Sequence, residues 1–590
     1  MKSSKKIVEE YLKQSDWRVK ENSNSPYCYG GLNKYTAGEV AKDYWLREVY
    51  PEYITAEYLN GKMHIHDLAG LTIYCCGYSL RKLIQTGVKG VPNIPTSAPA
   101  RHFDSILNQI SNMVTVYQNE IMGAVAFSSV DTLLAPFIKK DNLTYEEVKQ
   151  SLQNFIFSIN SNSRGGAEPA FSNVTLDLTP PKDLIDNYAL IGNGYTDFKY
   201  RDCQKEMDMF NRAFCELMIE GDANGRPFAY PIPTYNIHER FDWNNPNNEL
   251  LWEMAGKYGY PYFANFINSD MKPEDARSMC CRLRLDLTEL QKRNGGLFGS
   301  GDSTGSIGVV TINLPRIAYE NKGDKTAFFK ELDRVLNIAK DSLEIKRDWL
   351  QKNVIETRLL PAFDTYVGTM RNHFSTIGIV GMNEMCENFF GENNDILTDE
   401  GKTFCIEVGT HIRNRLLDFQ KETGNLYNFE ATPAESTAFR LAKKDREEYP
   451  NIITRGTAKA PYYTNSCHIP VNKVTSIKDT FDHQEDLQIL FTGGTVIHIF
   501  TNGAISGETA KEIIQTVCNG YKVPYVSISP LNRYCPEHGY IADKVDKCPI
   551  CNSNLKMYQR ITGYLRCVDN YNDGKKAEFN ERKQLDPENN

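Results

Sequence analysis

Apolar residues recur along this chain in two rhythms. Short, nearly continuous runs at 71–80 (LTIYCCGYSL), 306–314 (SIGVVTINL) and 494–500 (GTVIHIF) predict strands buried on both faces. Between them, helical spacing runs through 325–354 and through 103–138, where small residues around Gly123 to Ser129 interrupt it and suggest long helices packed closely on another surface. "ATPAESTAFRLAKKD" reads as a turn followed by a helix. Strands alternating with long helices predict an α/β architecture with largely buried strands. The pattern changes after Pro530: residues 535–555 are poor in large apolar side chains and rich in turn formers. The final stretch, YNDGKKAEFNERKQLDPENN, is polar and is expected to be mobile at its end.

Composition narrows the class. At 41% hydrophobic and 24% charged residues, the 590-residue chain can bury a sizeable core. A net charge of -8 provides no electrostatic footprint for nucleic-acid or membrane binding. The basic N-terminus is not followed by an apolar segment, and no run is long enough to span a bilayer. Fifteen cysteines without a secretory signal therefore imply reduced thiols in the cytoplasm.

Four potential ligands are grouped by spacing. Cys535-Pro-Glu-His538 and Cys548-Pro-Ile-Cys551 form two hooks nine residues apart, the pattern of a closed tetrahedral zinc site with no open catalytic position. Such a metal fixes a segment too small to bury its own core. A zinc ribbon can also bind nucleic acid, but basic and stacking residues are sparse here. Just downstream, "YQRITGYLRCV" places Gly563 among strand-forming residues, where a glycine ordinarily marks a bulge or turn tip. Two cysteine pairs, Cys75-Cys76 and Cys280-Cys281, are consistent with small buried hydrophobes. On a strand, only one of Cys75 and Cys76 can face a given cavity. A nucleophilic cysteine with His64, His66, His373 or His468 as its base is a further reading.

The segments "DWRVKENSN", "HIHDLAGLTIYCCGYSL", "RSMCCRLRLDL", "TGSIGVVTINLPRI", "NHFSTIGIVGMNE", "EATPAEST", "LFTGGTVIHIF", "CPEHGY…CPIC" and "RITGYLR" together resemble the anaerobic, class III ribonucleotide reductases over essentially the whole chain. The resemblance implies an α/β fold of the glycyl radical enzyme type: a ten-stranded α/β barrel over 1–530 with a central finger loop and dimer-interface helices near 103–175. A zinc knuckle would follow at 531–555, and a glycyl radical loop with a polar tail at 556–590. Gly563 would carry the stable radical, since delocalisation onto the flanking amides requires a planar centre without a side chain. Cys281 would become the thiyl radical that abstracts the ribose 3'-hydrogen. Cys75, with Cys76 as the alternative, would supply the reducing hydrogen.

By the same resemblance, Met279 and Asn313 match positions that contact reductant and substrate in formate-using members, which favours formate over a thioredoxin-type reductant. Glu435 would support proton transfer at the ribose, although an acid early in a helix also suits the macrodipole. Ser436 and Thr437, at a helix N-terminus, would bind substrate phosphates. His373 and Ser375 of HFSTIG and the Gly493-Gly494 turn would line the same pocket. The implied partners are ribonucleoside triphosphates, dNTP or ATP effectors, a second copy of the chain, and a separate iron-sulfur activase that uses S-adenosylmethionine. Many relatives begin with an ATP-cone of about a hundred residues. Here the sequence reaches "YLKQSDWRV" almost immediately, so neither a cone nor dATP shut-off through one is expected. The rival readings are a pyruvate formate-lyase-like or dehydratase glycyl radical enzyme, and a zinc-ribbon binding protein with an inert barrel.

Overall fold

The computed structural model describes residues 2–20, 27–162, 168–269, 271 and 303–588. Ten strands make its frame: β1 (Cys75–Gly77), β2 (Val125–Phe127), β3 (Ser172–Leu176), β4 (Ile232–Ile237), β5 (Tyr262–Asn265), β6 (Gly305–Asn313), β7 (His373–Val380), β8 (Leu426–Glu430), β9 (Ile497–Thr501) and β10 (Tyr525–Pro530). They pair in the order β8-β7-β6-β1-β2-β3-β4-β5-β10-β9. Pairing is parallel within β1–β5 and within β6–β10, and antiparallel at the two seams, β1 with β6 and β5 with β10. The first seam sets Cys75 opposite Ser306 and Cys76 opposite Gly305.

The ends of this path meet. Gly493 N–H donates to Phe429 O at 2.6 Å and Ala431 N–H to Gly494 O at 2.8 Å, linking the end of β8 to the segment just before β9. A side chain at Gly493 would begin 2.9 Å from the Phe429 carbonyl, so this closure requires glycine. The ten-stranded ring expected from the sequence is therefore closed from two five-stranded halves.

Burial accounts for the apolar runs. Every residue of β6 and β7 is buried, as strands covered on both faces must be. Each Ile or Val taken out of water there contributes roughly 1.5–3 kcal/mol before the entropy cost. The helices Phe103–Tyr117, Val130–Asp141 and Lys325–Leu350 pack apolar faces into the same core.

Three sequence expectations shift. The run 71–80 supplies only the three residues of β1, and 494–500 becomes a strand at 497–501, because Gly494, with Gly493 before it, serves the ring closure. The interruption at Gly123 to Ser129 is not merely a close-packed break in helices: it contains β2. The polar tail also folds. Helix Asp573–Glu581 forms, and Tyr571, Asn572, Lys575, Glu578 and Arg582 are buried, because their polar groups find partners inside the protein.

Candidate active site

A hairpin carries the glycine. Strands Lys556–Arg560 and Leu565–Cys567 pair antiparallel, with Arg560 opposite Leu565, and Ile561–Tyr564 form the tip. Lys556–Arg560 also pairs with Asn532–Cys535, which in turn pairs with Gly539–Ile541. The metal knuckle and the glycine hairpin thus share one four-stranded sheet, and a boundary at 555/556 separates chemistry rather than folding units.

At the knuckle, Cys535 Sγ lies 3.5 Å from His538 Nδ1 and 3.6 Å from Cys551 Sγ, and Cys548 Sγ lies 3.6 Å from His538 Nδ1. The four ligand atoms all fall within 4.8 Å of one another and could hold one metal ion. A tetrahedral site with bonds of about 2.3 Å to sulfur and about 2.0–2.1 Å to nitrogen has edges of this length, so the donor set fits zinc. Gly539 (φ +76°) and Asn552 (φ +59°) turn the backbone around the ligands.

Gly563 is buried at the hairpin tip. Its carbonyl accepts from the Tyr262 hydroxyl of β5 and from Arg560 Nη1 at 3.1 Å. Arg560 lies over the Tyr262 ring at 4.2 Å and donates to Ser529 Oγ of β10 at 3.2 Å. Tyr564 donates to Glu435 Oε2 at 2.9 Å, and its ring meets Phe171, which precedes β3, at 5.5 Å. Burial and the Glu435 carboxylate push the Tyr564 phenol well above its ordinary pKa, so it remains a donor. Strands of both halves therefore hold the tip.

The two adjacent cysteines face different surroundings. Cys75 clusters with Ala124, Ala126, Tyr74 and Phe171, and Phe171 is the residue that touches Tyr564. Cys76 belongs to the main apolar core, and burial pushes its thiol pKa upward. Cys75 is thus linked to the glycine hairpin through Phe171.

Other expected site residues are distributed as follows. Glu435 and Thr437 are buried and Ser436 is half-buried in the first turn of helix Glu435–Glu448, whose opening amides have no intrahelical acceptor. His373 is fully buried, and burial together with Arg347 lowers its pKa to about 3. Ser375 Oγ accepts from Arg347 at 3.0 Å. Gly493 and Gly494 close the ring. Asn313 is an N-cap: its Oδ1 accepts from Arg316 N–H, and its Nδ2 donates to Gly61 O at 2.8 Å and Asp445 Oδ2 at 2.7 Å. Both ends of the Asn313 amide are thus engaged within the protein. Met279, Cys280 and Cys281 lie outside the described residues.

Burial holds His64, His66, His373 and His468 below the ordinary imidazole range, so the nucleophilic-cysteine reading finds only weak bases. Sequence reasoning missed Tyr262 and the tail residues Tyr571, Glu578 and Arg582. Arg560 was visible in "RITGY", three residues before the glycine.

A closed ring of two antiparallel five-stranded halves, gripping a glycine hairpin beside a Cys3His cluster, defines a barrel oxidoreductase of the ribonucleotide reductase type. Its fold matches the crystal structure of the anaerobic ribonucleotide reductase from Thermotoga maritima with dATP bound in the specificity site. The TM-score is 0.75 at 21% identity, with 95% of this chain and 94% of that one covered. The sequence matches the family model "Anaerobic ribonucleoside-triphosphate reductase" over residues 21–585, and the chain belongs to that family. Relatives of that name from Salmonella typhimurium and Escherichia coli are each 24% identical over 92% of this chain and 80% of their own length. Among the described residues no helix is long and apolar enough to cross a membrane.

Proposed function

We propose that this chain reduces ribonucleoside triphosphates to 2'-deoxyribonucleoside triphosphates by a glycyl and thiyl radical mechanism, with formate as the reductant. The observation that carries the reading is Gly563: a buried glycine at a hairpin tip, held through its carbonyl by Tyr262 and Arg560. A Cα radical delocalised onto both neighbouring amides needs a planar centre, and a fixed carbonyl orients that plane.

In this reading a separate iron-sulfur activase using S-adenosylmethionine removes a hydrogen atom from Gly563. Cys281 then returns a hydrogen atom to Gly563 and keeps the unpaired electron on sulfur. That sulfur takes the ribose 3'-hydrogen, the 2'-hydroxyl leaves as water with an added proton, and Cys75 donates the hydrogen that reduces the 2'-position. Formate supplies two electrons and leaves as CO2, so the sum is ribonucleotide, formate and one proton giving deoxyribonucleotide, CO2 and water. Met279 serves the reductant. Glu435, joined to Tyr564 next to the radical carbon, is placed to hold or pass a proton. The first turn at Ser436 and Thr437 suits the triphosphate. Cys535, His538, Cys548 and Cys551 would hold structural zinc that stabilises the hairpin sheet.

Thermotoga maritima structures with dATP, and with dATP and CTP, support effector and substrate sites of those classes in this chain. The effector site is proposed on the helices within 103–175 of a cytoplasmic homodimer. EPR of activated enzyme should give a glycyl doublet that Gly563→Ala abolishes, and Cys281→Ser should retain the doublet but form no dNTP. A doublet persisting in the alanine variant would refute the assignment. Omitting formate tests the reductant separately.

A further inference from the structure

Residues 571–588 return over the glycine hairpin, and their contacts converge on both flanks of Gly563. On one flank, Arg582 Nη1 donates to the Arg560 carbonyl at 2.9 Å and to Gln559 Oε1 at 3.1 Å, while Nη2 donates to the Ile561 carbonyl at 2.9 Å. The Tyr571 hydroxyl takes the Gln559 carbonyl at 2.7 Å. On the other flank, Asn572 Nδ2 donates to the Glu435 carbonyl at 3.1 Å, and the Glu435 carboxylate receives the Tyr564 hydroxyl. The tail thus reaches the residue two before the glycine directly and the residue after it through Glu435.

The guanidinium is anchored from two directions. Glu578 Oε1 accepts from Arg582 Nη2 at 2.9 Å, with Lys575 on the other carboxylate oxygen, and the Phe500 ring of β9 lies 4.3 Å below the Arg582 plane. Arg582, Glu578 and Lys575 are all buried. The planar fork meets four acceptors at once, whereas an ammonium group has only three donors, all on one nitrogen.

We propose that Arg582 is a positioning residue for Gly563, the centre of a C-terminal clasp that sets where the 561–564 tip sits within the ring. The catalytic part of the proposal rests on the radical reading above, but the test of the clasp does not.

Amide hydrogen exchange is measured on the full-length, metal-loaded chain before activation for wild type, Arg582→Gln, Arg582→Lys and Lys583→Gln, the last removing an exposed neighbouring charge. Exchange over 558–566 should accelerate by about tenfold or more in Arg582→Gln, less in Arg582→Lys, and not in Lys583→Gln, while β6 and β7 stay protected in all four. After activation, dNTP turnover should fall in Arg582→Gln with KM for the ribonucleotide unchanged, and recover in part in Arg582→Lys. Wild-type exchange over 558–566 in Arg582→Gln would overturn the clasp. So would loss of protection in β6 and β7 with a raised KM, the mark of general destabilisation. If wild type forms no radical, the functional reading fails while the exchange comparison still decides the clasp.

Discussion

The metal knuckle and the C-terminal tail secure the same hairpin from opposite ends of its sequence, by different physics. The knuckle has little apolar burial; four ligand atoms converge within a few ångströms, and the strands Asn532–Cys535 and Gly539–Ile541 transmit that fixity to Lys556–Arg560. The tail has no metal ligands in its cluster. It buries Lys575, Glu578 and Arg582 together and directs the Arg582 donors to backbone carbonyls. One device would draw its strength from a metal ion in place of a core. The other is specific because a buried charge tolerates few alternative positions.

The sharpest way to break the comparison is to remove the metal. Structural zinc contributes on the order of 10 kcal/mol of apparent binding free energy, so chelation or Cys548→Ser should release the knuckle and hairpin together. Exchange over 532–541 and 556–567 should rise with the barrel strands unaffected. A hairpin that stays protected would show that the tail alone holds it.

Next in size is Glu578→Gln, which leaves Arg582 and Lys575 buried with their shared carboxylate gone and should cost about 3–5 kcal/mol in denaturant unfolding. Burial alone would raise the Glu578 pKa, but Lys575 and Arg582 together hold it below the usual carboxylate value. Its contribution is therefore fully present above the unfolded pKa of about 4.3 and is lost as pH falls through the depressed folded value. The wild-type stability curve should show this acid loss, and the Gln variant should lack that component.

Tyr564→Phe removes the hydrogen bond to Glu435 and should cost about 1–3 kcal/mol, with the hairpin loosened only on the C-terminal side of Gly563. Least of all, Lys544→Ala breaks the partly exposed pair with Asp586 at 2.8 Å, and unfolding should shift by no more than about 1 kcal/mol. A larger loss would mean that the tail is held by its rim as well as by its buried cluster.

The two devices also differ in how far they could be read from the chain. CPEH and CPIC declare themselves because zinc demands particular atoms at short spacing, and all four ligands were found that way. The tail reads as solvated because its charges are ordinary and their burial depends on partners far away in sequence, such as Phe500 and Gln559. Asn313 is a further case: its amide donates to Asp445 and Gly61, and neither partner is visible from "TINLPR". For Cys75 and Cys76, a strand's alternation gives opposite faces without saying which one is inside.

The sequence by itself determined the strand-and-helix alternation, the four candidate metal ligands and a turn tip at Gly563. Those follow from local periodicity and from chemistry that permits few residue types. Only the tertiary structure decided that the ring closes through Gly493 and Gly494, that Cys75 and Cys76 enter different clusters, and that Tyr262, Arg560 and Arg582 grip the tip. Each of those depends on atoms brought together from distant parts of the chain, and burial, not spacing, selects their partners.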